Sequence, residues 1–267
     1  MEEMYRGYVK MEREDLKNKK LMELFGKTEF KTAETDPEFS ELTNLFLFGD
    51  VCHFGNLDSK TREMITLVVL ITSQLPVELK VHTQVALNLK ITPIEIKELV
   101  YACVPYIGLP KTLNSLRVVN EIFKENNIQM PLESQKTTNE ENRYEKGIEL
   151  RNRIFGGDAK QTEENAIKGQ SHIQKYLSEY CFGDWYTRNG LDIKTRELLT
   201  MTILVTLGGC ENQLKAHIKA NLNVGNTEEI IVNAITQAMP YIGFPRTLNA
   251  LNCVNQIVKE KNANETK

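Results

Sequence analysis

The longest apolar stretch of the chain follows a short polar segment and predicts a buried helix. Asp58 stands where it can cap a helix N-terminus, and the run MITLVVLI (64–71) comes soon after it. The fragment VVLIT alone would suit a strand, but the cap in front of it and the continuation to about residue 73 favour a helix. Near-continuous apolarity indicates that this helix is buried on all sides.

Other helix boundaries are marked by capping residues. The segment Thr92-Pro93-Ile94-Glu95 reads as a capping box with proline at the first helical position, and Gly108 followed by Pro110 suits the end of one helix and the start of the next. No stretch shows sustained period-two alternation with turn signals. The sequence therefore predicts an all-α protein.

The chain contains two copies of one pattern. Residues 105–122 and 240–257 are identical at twelve of eighteen positions, and Asp192 takes the place of Asp58 in the second copy. Internal repeats of this length predict two similar helical units. The predicted organisation is a first repeat over 1–125, a polar linker over 126–142, a second repeat over 143–260 and a disordered tail over 261–267.

Composition excludes several classes of protein. Of 267 residues, 41% are hydrophobic and 26% charged, which is typical of a globular chain, and the net charge of −3 gives no reason to expect nucleic-acid binding. No apolar run is long enough for a membrane helix, and the first residues lack a signal-peptide core, so we expect a cytoplasmic protein with no membrane contact. The five widely spaced cysteines are expected to be free thiols.

Two of the four histidines, His82 and His217, occupy equivalent places in the repeats. Glu78 lies four residues before His82, so the two side chains can meet on one helix face and exchange protons. In the second repeat Gln213 replaces this glutamate, which makes the sites unequal. Each histidine could equally be a structural residue of the helix interior.

Several other residues are candidates for a site. Cys210 follows two glycines and is expected near a helix N-terminus, where a thiolate is favoured, although Glu211 opposes this and the thiol could simply be buried. Arg62 and Arg196 lie in identical KTRE segments and could bind a substrate carboxylate or form local ion pairs. Tyr106 and Tyr241 could line a pocket or only pack. No metal site is predicted, since the histidines lack ligand spacing.

The chain resembles the carboxymuconolactone decarboxylase family, which includes the alkylhydroperoxidase-D-like proteins. The resemblance is carried by GLD-x-KTRE (190–197), GGCENQLKAHIKANLNVG (208–225) and PYIGFPRTLNAL (240–251). It implies a helical bundle without a cofactor. It also implies a homo-oligomer, a trimer of two-repeat chains that would form a pseudo-hexamer.

The peroxidase branch of that family carries the pattern E-x11-C-x2-C-x3-H. Glu63 and His82 keep its outer spacing, but both cysteines are missing between them. Glu197, Cys210 and His217 keep the outer residues and one cysteine in the second repeat, with one extra residue. The resemblance thus adds Glu63 and Glu197 to the candidate catalytic residues, while a dithiol cycle cannot run within the motif.

The decarboxylase branch often has glutamate in place of the second cysteine, as at Glu78. The resemblance there implies proton transfer coupled to loss of carbon dioxide from a small carboxylated lactone, with an arginine such as Arg62 on the carboxylate. Three functions therefore stay open: a lyase acting on a small acid through His82, Glu78 and Arg62, a thiol-dependent peroxidase using Cys210, and a non-enzymatic helical oligomer that binds a small-molecule ligand.

Overall fold

The computed structural model describes residues 12–30 and 32–265, and over these ranges the chain is helical with no β-strand. The predicted all-α class with two helical-bundle repeats is confirmed. The helices of the first repeat are α1 (Arg13–Phe25), α2 (Thr32–Thr35), α3 (Pro37–Asn44), α4 (Ser59–Ser73), α5 (Pro76–Asn88), α6 (Pro93–Ala102), α7 (Val104–Ile107) and α8 (Leu109–Glu125).

The second repeat follows the same order, with the counterpart of α6 and α7 running as one helix. Its helices are α9 (Arg143–Phe155), α10 (Ala159–Glu164), α11 (Ser171–Tyr176), α12 (Ile193–Leu207), α13 (Glu211–Asn223), α14 (Glu228–Ile242) and α15 (Phe244–Glu265). A π-helical segment, Leu45–Asp50 in the first repeat and Leu177–Tyr186 in the second, precedes the longest apolar helix. No helix among the described residues is long and apolar enough to cross a bilayer.

The predicted caps are present. The Asp58 carboxylate accepts a hydrogen bond from the Thr61 amide at 2.9 Å, and Asp192 caps α12 in the same way. Thr92 and Glu95 form the expected capping box at the start of α6. These caps fix where the helices begin, and therefore which side chains they carry inward.

One hydrophobic core joins the two repeats. Every residue from Arg62 to Thr72 on α4 is buried, as is every residue from Arg196 to Thr206 on α12. The two helices pack against each other, α14 packs on α4, and α6 packs on α12, so apolar side chains of both repeats belong to one cluster. The repeats are therefore halves of one packed body.

The segment 126–142 is more ordered than a polar linker. Thr138 is buried and its hydroxyl donates to the Gly183 carbonyl at 2.9 Å, while the Gln135 carbonyl accepts from the Asn189 amide at 3.0 Å. The polar side chains that suggested a flexible linker are used to bind backbone groups of the second repeat. We refer to this segment as the connector.

The expected disordered tail is wrong for residues 261–265. Helix α15 continues through Glu265, and residues 266–267 lie outside the described part of the chain.

Each repeat also contains an N-terminal helix packed on its π-helical segment. Arg13 on α1 pairs with Asp50, and Arg143 on α9 pairs with Asp184 at 2.9 Å from Nε to Oδ1. Asp50 and Asp184, each in a π-helical segment, therefore bind the N-terminal helix of their own repeat. This contact places α1 and α9 beside the candidate histidines.

Candidate functional site

A buried histidine–glutamate pair occurs in each repeat. The His82 Nδ1 atom on α5 lies 2.8 Å from Glu63 Oε1 on α4, and His217 Nδ1 on α13 lies 2.9 Å from Glu197 Oε2 on α12. All four residues are buried. Because an ionised carboxylate can only accept, Nδ1 carries the hydrogen when the glutamate is charged, and Nε2 is left for other chemistry.

Glu78 is not the partner of His82. It is exposed in the first turn of α5, and it forms no ion pair or hydrogen bond with the histidine. The spacing of four residues allows a contact along the helix, but His82 points inward toward α4, where Glu63 accepts its Nδ1–H. The proposed Glu78–His82 pair is therefore wrong, whereas the Glu63–His82 spacing does correspond to a contact.

Each histidine is contacted by a tyrosine of the opposite repeat. The ring of Tyr241 on α14 lies 6.3 Å from the His82 ring, and Tyr106 on α7 lies 5.9 Å from the His217 ring. Both contacts are edge-to-face. Each site therefore needs both halves of the chain, which follows from the shared core.

The first site encloses a small cavity with two cationic side chains. Arg62 and Lys20 line it together with His82 and Glu63, and its free volume is about 10 Å³, roughly the space of one water molecule. The Nε2 atom of His82 makes no hydrogen bond with the described residues. The remaining wall includes Cys52, Thr66, Gln237 and Tyr241.

Arg62 is held in place by polar groups of both repeats. Its guanidinium donates to the backbone carbonyls of Leu57, Val51 and Phe54, and to the Gln237 Oε1 atom of the second repeat at 3.0 Å. Lys20 on α1 is also buried, and its ammonium group contacts Glu23 and Ser59. Partial burial of Glu23 acts to raise its pKa, but the hydrogen bonds donated by Lys20 and Ser59 outweigh burial, so the pKa of Glu23 is lowered.

The second site has different neighbours at the same positions. Tyr186 occupies the place of Cys52, and Leu150 on α9 occupies the place of Lys20 on α1. The Tyr186 hydroxyl donates to Thr200 Oγ1 at 2.7 Å, and burial raises the pKa of Tyr186 well above its usual range. The ring of Tyr186 therefore fills space that the smaller side chain of Cys52 leaves open in the first site.

Arg196 is buried beside a carboxylate, that of Glu98, which it shares with Arg188. It is 1% exposed, donates to the Arg188 carbonyl at 3.0 Å, and lies 3.8 Å from a carboxylate oxygen of Glu98 on α6. Two buried polar atoms near it, Glu197 Oε1 and the Tyr106 hydroxyl, have no hydrogen-bond partner among the described residues. The second site therefore has one arginine already bound to a carboxylate, and no second cation from α9.

None of the five thiols has the lowered pKa of a reactive cysteine. Cys210 is at the N-cap of α13, as expected, but burial and the adjacent Glu211 raise its pKa. Burial likewise raises the pKa of Cys52 to about 11 and that of Cys181 to about 12. At Cys210 the effect of burial on the pKa outweighs that of the helix N-terminus, so the structure does not support the expected thiolate.

Sequence reasoning missed Lys20, Cys52 and Gln237. Lys20 lies upstream of the recognised repeat blocks, and Gln237 belongs to the other repeat, where the first copy has Ala102. Alignment of the two repeats places Tyr186 opposite Cys52, so this difference in side-chain size can be read from the sequence. No group of three or more metal-ligating side chains is found within residues 12–30 and 32–265.

These features define a tandem-repeat helical protein with two unequal histidine–glutamate sites. The chain belongs to the carboxymuconolactone decarboxylase family, whose model matches residues 37–121 and 172–256, together more than half of the sequence. The chain is thus a decarboxylase-family protein, and the resemblance inferred from the repeat motifs is confirmed.

Two relatives named as decarboxylases are similar to this chain. A 4-carboxymuconolactone decarboxylase of Acinetobacter baylyi is 29% identical over 123 residues, which are 46% of this chain and 91% of the relative. A nitrosuccinic acid decarboxylase of Metarhizium robertsii is 29% identical over 126 residues, which are 46% of this chain and 82% of the relative. Each alignment covers most of the relative and less than half of this chain.

A solved structure supports the fold over the full length. A crystal structure described as a gamma-carboxymuconolactone decarboxylase subunit from Burkholderia xenovorans LB400 superposes with a TM-score of 0.56, covering 95% of this chain and 98% of the other. The sequence identity is 20%, so this likeness shows the fold alone.

Proposed function

We propose that the chain is a cofactor-free lyase that removes carbon dioxide from a small organic acid, such as a carboxylated lactone, at the site of His82. The observation that carries this proposal is the buried Glu63–His82 pair beside a cavity that also contains Lys20 and Arg62. The names of the two decarboxylase relatives support it. The raised pKa of Cys210 gives no support to a thiol-dependent peroxidase.

The two cations would hold the substrate. A carboxylate is bound well by a guanidinium or an ammonium group, and the low polarity of a closed site strengthens that attraction. Because the free volume is only about 10 Å³, the walls of the cavity must move apart to admit a substrate. Closure around the bound substrate would then exclude water from the reacting group.

The chemistry follows from the orientation of His82. Loss of carbon dioxide breaks the carbon–carbon bond and leaves its electron pair on the substrate, where an adjacent electron-withdrawing group delocalises it. The imidazolium form of His82 then donates its Nε2 proton to that carbon and is reprotonated from water. Glu63 accepts the Nδ1–H bond, which fixes the ring and stabilises its positive charge.

Site-specific substitutions test this proposal. With 4-carboxymuconolactone or nitrosuccinate as substrate, we expect carbon dioxide release that survives dialysis against EDTA. His82→Ala should lower kcat/KM by roughly 10²–10⁴-fold, the usual contribution of a general acid or base, and Glu63→Gln should also lower it because the imidazolium loses its counter-charge.

His217→Ala is the matched control, because it removes the equivalent buried histidine of the second repeat. We expect this variant to keep most of the activity. In the second site Leu150 stands where the first site has Lys20, and Tyr186 stands where it has the smaller Cys52. Loss of activity in His217→Ala with full activity in His82→Ala would refute the assignment. Absence of turnover with both acids would refute this substrate class.

A further inference from the structure

A second cavity lies away from both histidine–glutamate pairs. It is a cleft of about 610 Å³ between α6, α8 and the start of the connector, and neither His82 nor His217 lines it. Its volume falls in the range of sites that bind small organic molecules. Its apolar walls are formed by Ile94, Leu116 and Met130, among others.

A buried lysine faces this cleft. Lys97 on α6 is 8% exposed, its ammonium group donates to the Asn120 Oδ1 atom, and it lies 5.6 Å from the centre of the Phe123 ring. No carboxylate among the described residues forms an ion pair with it. Burial lowers the pKa of Lys97, which reflects the cost of an ammonium group removed from water.

The second repeat shows that this charge is not needed for packing. The position equivalent to Lys97 is Val232 on α14, which lies in the same shared core. An apolar side chain therefore suits the fold at this point, whereas a buried ammonium group without a carboxylate destabilises it. The lysine needs an explanation other than stability.

The remaining charges of the cleft leave room for one anion. Glu98 is held by the guanidinium of Arg188, with contacts of 2.8–3.1 Å, and also lies 3.8 Å from Arg196, so it does not neutralise Lys97. Lys124, one helical turn after Asn120 on α8, adds a second cation at the wall, and Glu133 is exposed. These five charged side chains sum to a single positive charge.

We propose that this cleft is a binding site for a small organic monoanion with an apolar body, an aromatic carboxylate being the simplest case. The carboxylate pairs with the ammonium group of Lys97, and the hydrocarbon part lies against Ile94, Leu116 and Met130. The ligand supplies the negative charge that this part of the protein lacks, which accounts for a lysine where the other repeat has valine.

Benzoate binding to the full chain tests the proposal by titration calorimetry. The measurement is made in the His82→Ala background, so that a carboxylate in the first site is not mistaken for one in the cleft. We expect benzoate to bind and neutral benzamide not to bind. Lys97→Met should weaken benzoate binding on the order of tenfold or more, the effect of removing a charged hydrogen bond.

Lys111→Met is the control variant, because Lys111 is an exposed lysine on α8 outside the cleft, and it should bind benzoate with unchanged affinity. Methyl NMR gives a second reading, since benzoate should shift the Met130 resonance in the His82→Ala protein. Equal benzoate affinity with and without Lys97, an unmoved Met130 methyl at saturation, or no heat with benzoate up to millimolar concentration would each overturn the proposal.

Discussion

At the scale of single residues, the protein buries several weakly acidic side chains. Burial raises the pKa of three tyrosines well above the usual value and raises that of Cys52 to about 11. These hydroxyl and thiol groups stay protonated in the folded chain at a pH where the unfolded chain would ionise them. The three tyrosines are Tyr106, Tyr186 and Tyr241.

Folding stability should therefore fall at alkaline pH. Each raised pKa contributes stability that is complete below the unfolded value, near 9 for the thiols and near 10 for the tyrosines. That stability is lost as pH rises toward the folded value, because the unfolded state then binds fewer protons. Urea midpoints measured from pH 8 to 11 should decrease steadily.

Tyr241→Phe is expected to flatten this pH dependence, since it removes one buried ionising group. Exposed Tyr176 offers the control, and Tyr176→Phe should keep the slope of the unsubstituted protein. If Tyr241→Phe and Tyr176→Phe give the same slope, the burial of the Tyr241 hydroxyl does not contribute to alkaline unfolding.

The sequence predicted part of the site and misassigned another part. Helical spacing permits a Glu78–His82 contact but does not show which side of α5 faces the core, so the wrong carboxylate was paired with the histidine. The longer Glu63–His82 spacing, taken from the family pattern, does correspond to a hydrogen bond. Lys20 could not be found because its position depends on how α1 packs over a site encoded 40 or more residues later.

At the scale of elements, the π-helical segments depend on close approach of their neighbours. A Cβ atom added to Gly183 would lie 2.1 Å from the Arg143 carbonyl oxygen of α9. Backbone atoms at that distance cannot give way without moving the helix. Gly183 is therefore required by the packing of α9 against its π-helical segment, and this contact positions the second site.

Gly183→Ala should destabilise the protein by roughly 1–3 kcal/mol, the usual cost of overpacking a tight contact. Gly157→Ala is the control, because nothing lies within 4 Å of a Cβ at that position, and its effect should stay within about 0.5 kcal/mol. Urea unfolding measures both. A Gly183→Ala variant as stable as Gly157→Ala would show that α9 is free to shift.

Helix boundaries were the most predictable elements, and the connector was the least. Asp58, Thr92 and Asp192 marked helix starts because a cap is a local interaction between residues three positions apart. The order of 126–142 depends on carbonyl groups more than 40 residues away, such as that of Gly183. The residues of 126–142 alone do not show which distant carbonyl groups they bind.

At the scale of the whole molecule, equivalent apolar side chains of the two repeats face solvent. Leu109 and Leu113 on α8 are 57% and 39% exposed, and Phe244 and Leu248 at the matching positions of α15 are 59% and 56% exposed. Exposed apolar residues repeated in this way are typical of a self-association surface. We propose that they contribute to the homo-oligomer expected from the family resemblance, a trimer of two-repeat chains.

Sedimentation of a doubly substituted chain tests this proposal. The unsubstituted protein should sediment as three chains of 30.6 kDa, and Leu113→Glu with Leu248→Glu should give a monomer, because two charges would be buried in each interface. Ile167→Glu, at another exposed apolar residue, should leave the mass unchanged. A monomeric unsubstituted chain, or a double variant of unchanged mass, would contradict the proposed surface.

The exchange of tyrosines between the halves has a genetic consequence. In a homodimer of identical single repeats, one codon would specify the tyrosine of both sites, so every substitution would appear twice. Here Tyr241 beside His82 and Tyr106 beside His217 have separate codons, as do Cys52 and Tyr186. Either site can therefore acquire a substitution while the other retains its residue, so the two sites can diverge independently although a single gene encodes both.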